Sequence, residues 1–303
     1  MTNLAVKIAG VDFKNPVLTA SGCFGFGREY EKMYPLEKLG GICLKGMTLN
    51  EKMGNPPSRI AETPSGMLNS VGLQNPGVEA FLKNDMEYLA SKNTVIIANA
   101  AGSCVEDYCE LIERLSDSKV DMIELNISCP NVKQGGAAFG TSVDAAAKMV
   151  KSVRSICKKP LMVKLSPNVT DIVSIAKAVE AEGADAVSLI NTLLGMKIDI
   201  KTRKPVLHNN VGGLSGPCVF PVAVRMVWQV ANAVKIPVVG LGGIEKWEDA
   251  IEMMMAGASA VEIGTAMFYD PYAPIKVIEG MNNWLVENKI QDINEIVGTV
   301  KPW

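Results

Sequence analysis

The sequence predicts an α/β fold, a (β/α)8 TIM barrel with an N-terminal hairpin and inserted loops over the face formed by the carboxyl ends of its strands. Three observations predict it. Short apolar runs recur eight times along the 303 residues, each followed by Gly, Ser or Asn and then by an amphipathic stretch; that alternation is the pattern of a parallel sheet wrapped by helices. No composition break, linker or low-complexity segment divides the chain, so residues 1–303 read as a single domain, a length usual for one such barrel. Several runs also end in polar residues, and a barrel of this kind keeps its active site at the carboxyl ends of its strands.

In chain order, Leu4–Phe13 reads as a hairpin ahead of the barrel. The strand candidates are Asn15–Gly22, Gly41–Thr48, Val95–Gly102, Met122–Pro130, Leu161–Pro167, Ala186–Thr192, Ile236–Ile244 and Val261–Phe268. Helices are predicted over Val78–Ser91, Val105–Ser118, Val143–Lys158, Asp171–Glu182, Val219–Val234, Lys246–Met255 and Ile275–Asn288. Val173, Ala176, Val179 and Ala184 show the apolar stripe of a helix lying on a sheet. Three segments are too long to be simple connections: Asn50–Gly77, Asn131–Thr141 and Leu193–Pro217, all rich in turn residues. Loops of that length are usually functional, and these three are expected to cover the site.

Composition narrows the chemistry. With 32 acidic against 30 basic residues, the net charge is −2 and no Lys/Arg run is present, which disfavours nucleic acid and favours a small molecule. No apolar run approaches the roughly 18 residues needed to span a bilayer, and the opening Met1-Thr2-Asn3-Leu4 lacks a signal pattern, so a cytoplasmic protein is expected. The seven cysteines (Cys23, Cys43, Cys104, Cys109, Cys129, Cys157, Cys218) form no C-x-x-C pair, and one histidine, His208, leaves little for a zinc site. Free thiols and no bound metal are expected, with His208 an ordinary loop residue and Met253-Met254-Met255 core filler. Trp284 and Trp303 either pack or lie at an interface.

The stretch Ile123-Glu124-Leu125-Asn126-Ile127-Ser128-Cys129-Pro130-Asn131 is the most telling. Pro130 cannot donate a ladder hydrogen bond, so pairing should stop there and leave Cys129 at a mouth; the alternative is a buried structural cysteine. Lys45 and Lys164 lie inside apolar runs, where an ammonium needs a partner, either an anionic ligand or an internal ion pair. Asn99, Asn126 and Asn191 end strands and Asn69 sits in a long loop, offering the donor and acceptor edges that suit a planar heterocycle. The seventh and eighth strand runs carry Gly240-Leu241-Gly242-Gly243 and Gly264-Thr265, and the loops after those strands are the usual phosphate position in this fold.

Those segments, together with Asn15–Gly22 and Asn69–Gly77, resemble the dihydroorotate dehydrogenase family, in its cytosolic class that uses Cys rather than Ser as base. The resemblance runs through nearly the whole barrel. It implies FMN held by Ser21, Lys45, Gly46, Asn99, Asn126, Lys164, Ile190, Gly216, Gly242, Gly243, Gly264 and Thr265. It implies dihydroorotate held by Lys45, Asn69, Ser70, Val71, Gly72, Leu73, Asn126, Asn191 and Thr192. Cys129 would take the C5 proton while hydride leaves C6 for the flavin, and a thiol whose ordinary pKa is about 8.5 gives a rate that rises with pH. The segment Val132–Gly140 resembles the heteromeric branch, which implies a homodimer of this chain within a heterotetramer, its partner subunit carrying FAD and a 2Fe-2S cluster and passing electrons to NAD. The alternatives are the homodimeric fumarate-using branch, a tRNA dihydrouridine synthase, and a ligand-binding barrel without catalysis.

Overall fold

In the computed structural model, which describes residues 2–128 and 139–303, sixteen strands fall into four sheets. In chain order they are β1 Val6–Ile8, β2 Val11–Phe13, β3 Val17–Thr19, β4 Gly41–Cys43, β5 Ile60–Thr63, β6 Gly66–Asn69, β7 Val95–Ala100 and β8 Met122–Asn126. The second half supplies β9 Leu161–Lys164, β10 Ala186–Leu189, β11 Leu193–Gly195, β12 Ile198–Asp199, β13 Lys204–Pro205, β14 Gly212–Ser215, β15 Val238–Leu241 and β16 Ala260–Ile263. Eight of these close a parallel barrel in the order β3, β4, β7, β8, β9, β10, β15, β16 and back to β3. Each predicted barrel strand is present, with shorter bounds than the apolar runs suggested.

The barrel strands are buried along almost their whole length, because helices cover the outer face and side chains fill the inner one. The covering helices include Val105–Ser116, Val143–Arg154, Ile172–Ala181, Phe220–Ala231, Trp247–Met255 and Ala273–Glu287. Local signals set where they begin: Asp171 accepts the backbone N–H of Ser174 at 3.1 Å, satisfying one of the donors that a helix start leaves unpaired. At the amino end, the β1–β2 hairpin brings Phe13 under the barrel. A Cβ on Gly41 would lie 3.0 Å from both the Phe13 ring and Leu18, so the glycine makes room for that plug.

Three expectations need correcting. The helix expected over Val78–Ser91 is two, Val78–Asn84 and Met86–Ala90, broken at Asp85, whose carboxylate accepts the Arg28 guanidinium Nε at 2.9 Å. The run ending at Phe268 stops pairing at Ile263, and Ala266–Tyr269 is a helical turn. The long segments 50–77 and 193–217 are not only loops, since they exchange strands to form a four-stranded antiparallel sheet, β11-β14-β6-β5, at the rim. Ala61, Leu68 and Leu207 make its small separate core. Glycine permits this pairing: a Cβ on Gly213 would stand 2.1 Å from Thr192 Oγ1, and one on Gly212 2.6 Å from the Asn69 carbonyl oxygen. Trp284 packs against the main core, whereas Trp303 is exposed.

Candidate active site

A cavity of about 220 Å³ opens at the carboxyl ends of the barrel strands, roofed on one side by the rim sheet through Ile60, Met67, Asn69 and Leu214. Sequence reasoning pointed to residues scattered from 21 to 265, and the fold brings most of them here. Ser21, Lys45, Gly46, Asn99, Asn126, Lys164, Ile190, Gly216, Gly242, Gly243, Gly264 and Thr265 all line it. Asn69, Val71, Gly72, Leu73, Asn191 and Thr192 line it too. Ser70 does not: it is fully buried behind the wall, its N–H donating to the Arg59 carbonyl at 2.7 Å. His208 stays outside the cavity, in the rim segment, with its N–H on the Ser58 carbonyl. Cys129 lies outside the described residues, as does the stretch to Ala138.

The floor of the cavity is charged. Lys164 Nζ lies 3.2 Å from Glu262 Oε2 and 3.6 Å from Glu124 Oε2, so the internal ion pair weighed from sequence is present, with two carboxylates rather than one. Glu124 is well served: Ser188 Oγ donates to Oε1 at 2.6 Å, while Cys43 Sγ at 3.1 Å and the Asn99 amide donate to Oε2. Burial opposes its ionisation, but Lys164 and these three donors outweigh burial and hold Glu124 below the usual carboxylate range. Glu262 is served poorly. Its Oε1 is buried without a partner among the described residues, a state costing about 1–3 kcal/mol for a neutral group and more for a charged one. Burial, then the Glu124 carboxylate, push Glu262 up to about 8 against the pull of Lys164. Burial likewise opposes the Lys164 ammonium, yet the two carboxylates raise it above its ordinary value.

Above this floor the strand-end amides form a chain. Asn191 Nδ2 donates to Ser128 Oγ at 2.7 Å, and the Ser128 hydroxyl and N–H both donate to Asn126 Oδ1, at 3.0 and 3.2 Å. The Asn126 carbonyl in turn accepts the buried Tyr108 hydroxyl at 2.6 Å. These bonds fix the backbone at Ser128, the last described residue before Cys129. Gly46 has a steric task, since a Cβ there would come within 2.9 Å of Asn99 Oδ1.

On the opposite wall, the glycines after β15 and β16 make a cradle. Gly243 has φ +80°, and a Cβ on it would lie 2.8 Å from the Gly216 carbonyl oxygen and 2.9 Å from the Phe220 nitrogen. Only glycine meets both demands. The backbone there runs against the start of the helix Phe220–Ala231, which has no side-chain cap, and uncapped N–H groups favour an anion. Thr265 Oγ1 donates to Ser215 Oγ at 2.8 Å, joining the β16 end to the rim sheet.

Sequence reasoning missed Glu124, Glu262, Cys43, Ser188 and Ser128. Each stands in an apolar or family-like run without a spacing signal, because its partner comes from another strand.

A (β/α)8 barrel whose carboxyl-end cavity joins an anion cradle to buried lysines and strand-end amides is built as an enzyme for a small molecule. Comparison with known proteins then gives the family. The dihydroorotate dehydrogenase family model matches residues 3–285, and the chain belongs to that family. The catalytic subunit of dihydroorotate dehydrogenase B (NAD(+)) from Alkaliphilus oremlandii is 57% identical over 296 residues, covering 98% of both chains. The corresponding subunit from Alkaliphilus metalliredigens is 56% identical over 298 residues, covering 98% of this chain and 99% of that one. The crystal structure of the Eimeria tenella DHODH in complex with ferulenol superposes with a TM-score of 0.82 at 22% identity, over 98% of this chain and 88% of that one, which confirms the fold.

Proposed function

We propose that this chain is the catalytic subunit of an NAD-linked dihydroorotate dehydrogenase, oxidising dihydroorotate to orotate in pyrimidine synthesis. The observation that carries the reading is the convergence of eighteen motif residues on one cavity, in a chain 57% identical to a dihydroorotate dehydrogenase B (NAD(+)) catalytic subunit.

The cavity fits FMN. The Gly242-Gly243 turn, Gly216, Gly264 and Thr265 suit its phosphate, where a Cβ would fill the cradle at Gly243. Ser21, Gly46, Asn99, Asn126, Lys164 and Ile190 line the same cavity and would hold the rest of the cofactor, and Lys45 would serve both cofactor and substrate. FMN, when bound, supplies the acceptor for a hydride. The side chains of Asn69, Asn191 and Thr192 and the loop through Val71, Gly72 and Leu73 bind dihydroorotate on this reading, with Lys45 and Asn126; Ser70 supports that loop from behind.

Cys129 acts as the base. Its thiolate takes the C5 proton, the C6 hydrogen leaves with its bonding pair as hydride, and the pair freed from the C5–H bond becomes the C5=C6 double bond of orotate. The Asn126–Ser128–Asn191 chain of hydrogen bonds holds Ser128, the residue that precedes Cys129 in the sequence. Lys164 offers a fixed positive charge at the cavity floor, where it favours electron density arriving in the cofactor. Electrons then pass to a partner subunit with FAD and a 2Fe-2S cluster and on to NAD, within a cytoplasmic heterotetramer built on a dimer of this chain.

The purified chain should carry a yellow flavin that dihydroorotate bleaches anaerobically. A colourless protein, or a flavin inert to dihydroorotate, would contradict the reading. Reduction by NADH only when the partner is added separates this branch from the fumarate-using one.

A further inference from the structure

The proposed chemistry makes no use of Glu262, yet this carboxyl is fully buried and faces the cavity floor. It shares Lys164 with Glu124, at 3.2 and 3.6 Å respectively, and the two carboxylates are not equivalent. Glu124 collects donors from three strands in Cys43, Asn99 and Ser188; Glu262 has Lys164 on one oxygen and nothing on the other among the described residues. Two buried carboxylates cannot both ionise beside a single ammonium without an uncompensated charge. The proton therefore belongs on Glu262, the carboxyl with fewer donors.

The other charged and titratable groups around Glu262 support that distribution. Cys43 on β4 and Cys23 after β3 face the cluster, and burial raises both thiols, so each stays neutral. Lys45, beyond Cys23, is the second cation of this end of the barrel. The strands flanking β16 contribute Leu241 and Leu18 opposite Glu262, neither of which carries charge. Ligand atoms of Cys43, Glu124 and Glu262 lie within 4.8 Å of one another, a spacing that would hold a cation. Lys164 Nζ already is that cation.

We propose that Glu262 is a neutral carboxylic acid at neutral pH, and that by leaving Glu124 as the only counter-charge to Lys164 among the described residues it positions that ammonium's field toward the cavity and sets how readily the bound cofactor accepts electrons. The first half stands on the protein alone; the second rests on the FMN reading above. Glu262 is thus a positioning residue acting through Lys164. Ionising it would add a negative charge beneath the cofactor and make reduction harder.

Infrared difference spectroscopy tests the first half without reference to the cofactor. The wild-type protein should show the C=O stretch of a buried protonated carboxyl, lost on titration through about pH 8 and absent in Glu262→Gln. Glu124→Gln should also abolish the band near neutral pH, because Glu262 then becomes the sole counter-ion of Lys164 and ionises. A band that survives in Glu262→Gln, or that is missing from the wild type, overturns the proposal; a band that survives in Glu124→Gln overturns the sharing. Spectroelectrochemistry tests the second half. The midpoint potential of the wild-type flavin should fall below that of Glu262→Gln as pH rises through about 8, whereas curves that stay parallel overturn the link to the cofactor. If the preparation carries no flavin, the cofactor reading and the second half both fail, while the infrared result still decides the state of Glu262.

Discussion

At the scale of single residues, Glu262 ties the barrel's stability to pH. Its ordinary value of 4.5 is raised to about 8 by burial and by Glu124, so between those values the folded chain keeps a proton that the unfolded chain releases. The stability this group contributes is complete below about pH 4.5 and is lost as pH rises to about 8. Glu262→Gln has no such slope. Urea midpoints in a pH series should therefore show the variant gaining on the wild type from about pH 5 to about pH 8, and curves that run parallel would speak against a neutral Glu262. Gly243→Val adds a Cβ 2.8 Å from the Gly216 carbonyl at φ +80°, a backbone conformation costing an ordinary residue about 1–2 kcal/mol before any clash. It should weaken flavin binding at least tenfold, read from the flavin content of the purified protein; full occupancy would remove the cradle from the phosphate. The glycine was legible because a Gly pair after the seventh strand has a known use. Glu262 was not: it interrupts an apolar run, and its partner Lys164 stands 98 residues away.

At the scale of elements, the barrel strands were legible because burial on both faces demands continuous apolar runs, and Val95–Ala100 or Leu161–Lys164 satisfies that demand. The rim sheet was not. Its strands are three or four residues long and contain Gly66, Asn69, Gly212 and Gly213, residues that read as turns until their cross-strand partners are known. The connection holding segment 50–77 to the barrel is Asn75, whose Oδ1 accepts the Gly77 N–H at 2.9 Å and the Thr48 N–H at 3.2 Å. Its Nδ2 donates to the Leu73 carbonyl at 2.7 Å and to Thr48 Oγ1 at 2.9 Å. Asn75→Ala leaves these buried groups unpaired and should cost about 2–4 kcal/mol by the usual worth of such bonds. Because Leu73 lines the cavity, KM for dihydroorotate should rise more than kcat falls. A variant with wild-type stability and KM would show that the loop is held some other way.

At the scale of the molecule, the charged floor, the amide chain and the glycine cradle come from strands at opposite sides of the barrel and meet only because it closes. No described helix is long and apolar enough to cross a membrane. The measurement that bears most directly on the proposed function is anaerobic stopped-flow reduction of the bound flavin by dihydroorotate, compared between the wild type and Cys129→Ala across a pH series. The wild type should bleach at a rate that rises with pH toward the ordinary thiol range of about 8.5, and Cys129→Ala should keep its yellow flavin while losing at least a hundredfold in that rate. Bleaching of Cys129→Ala at a near-wild-type rate would contradict the assignment of Cys129 as base.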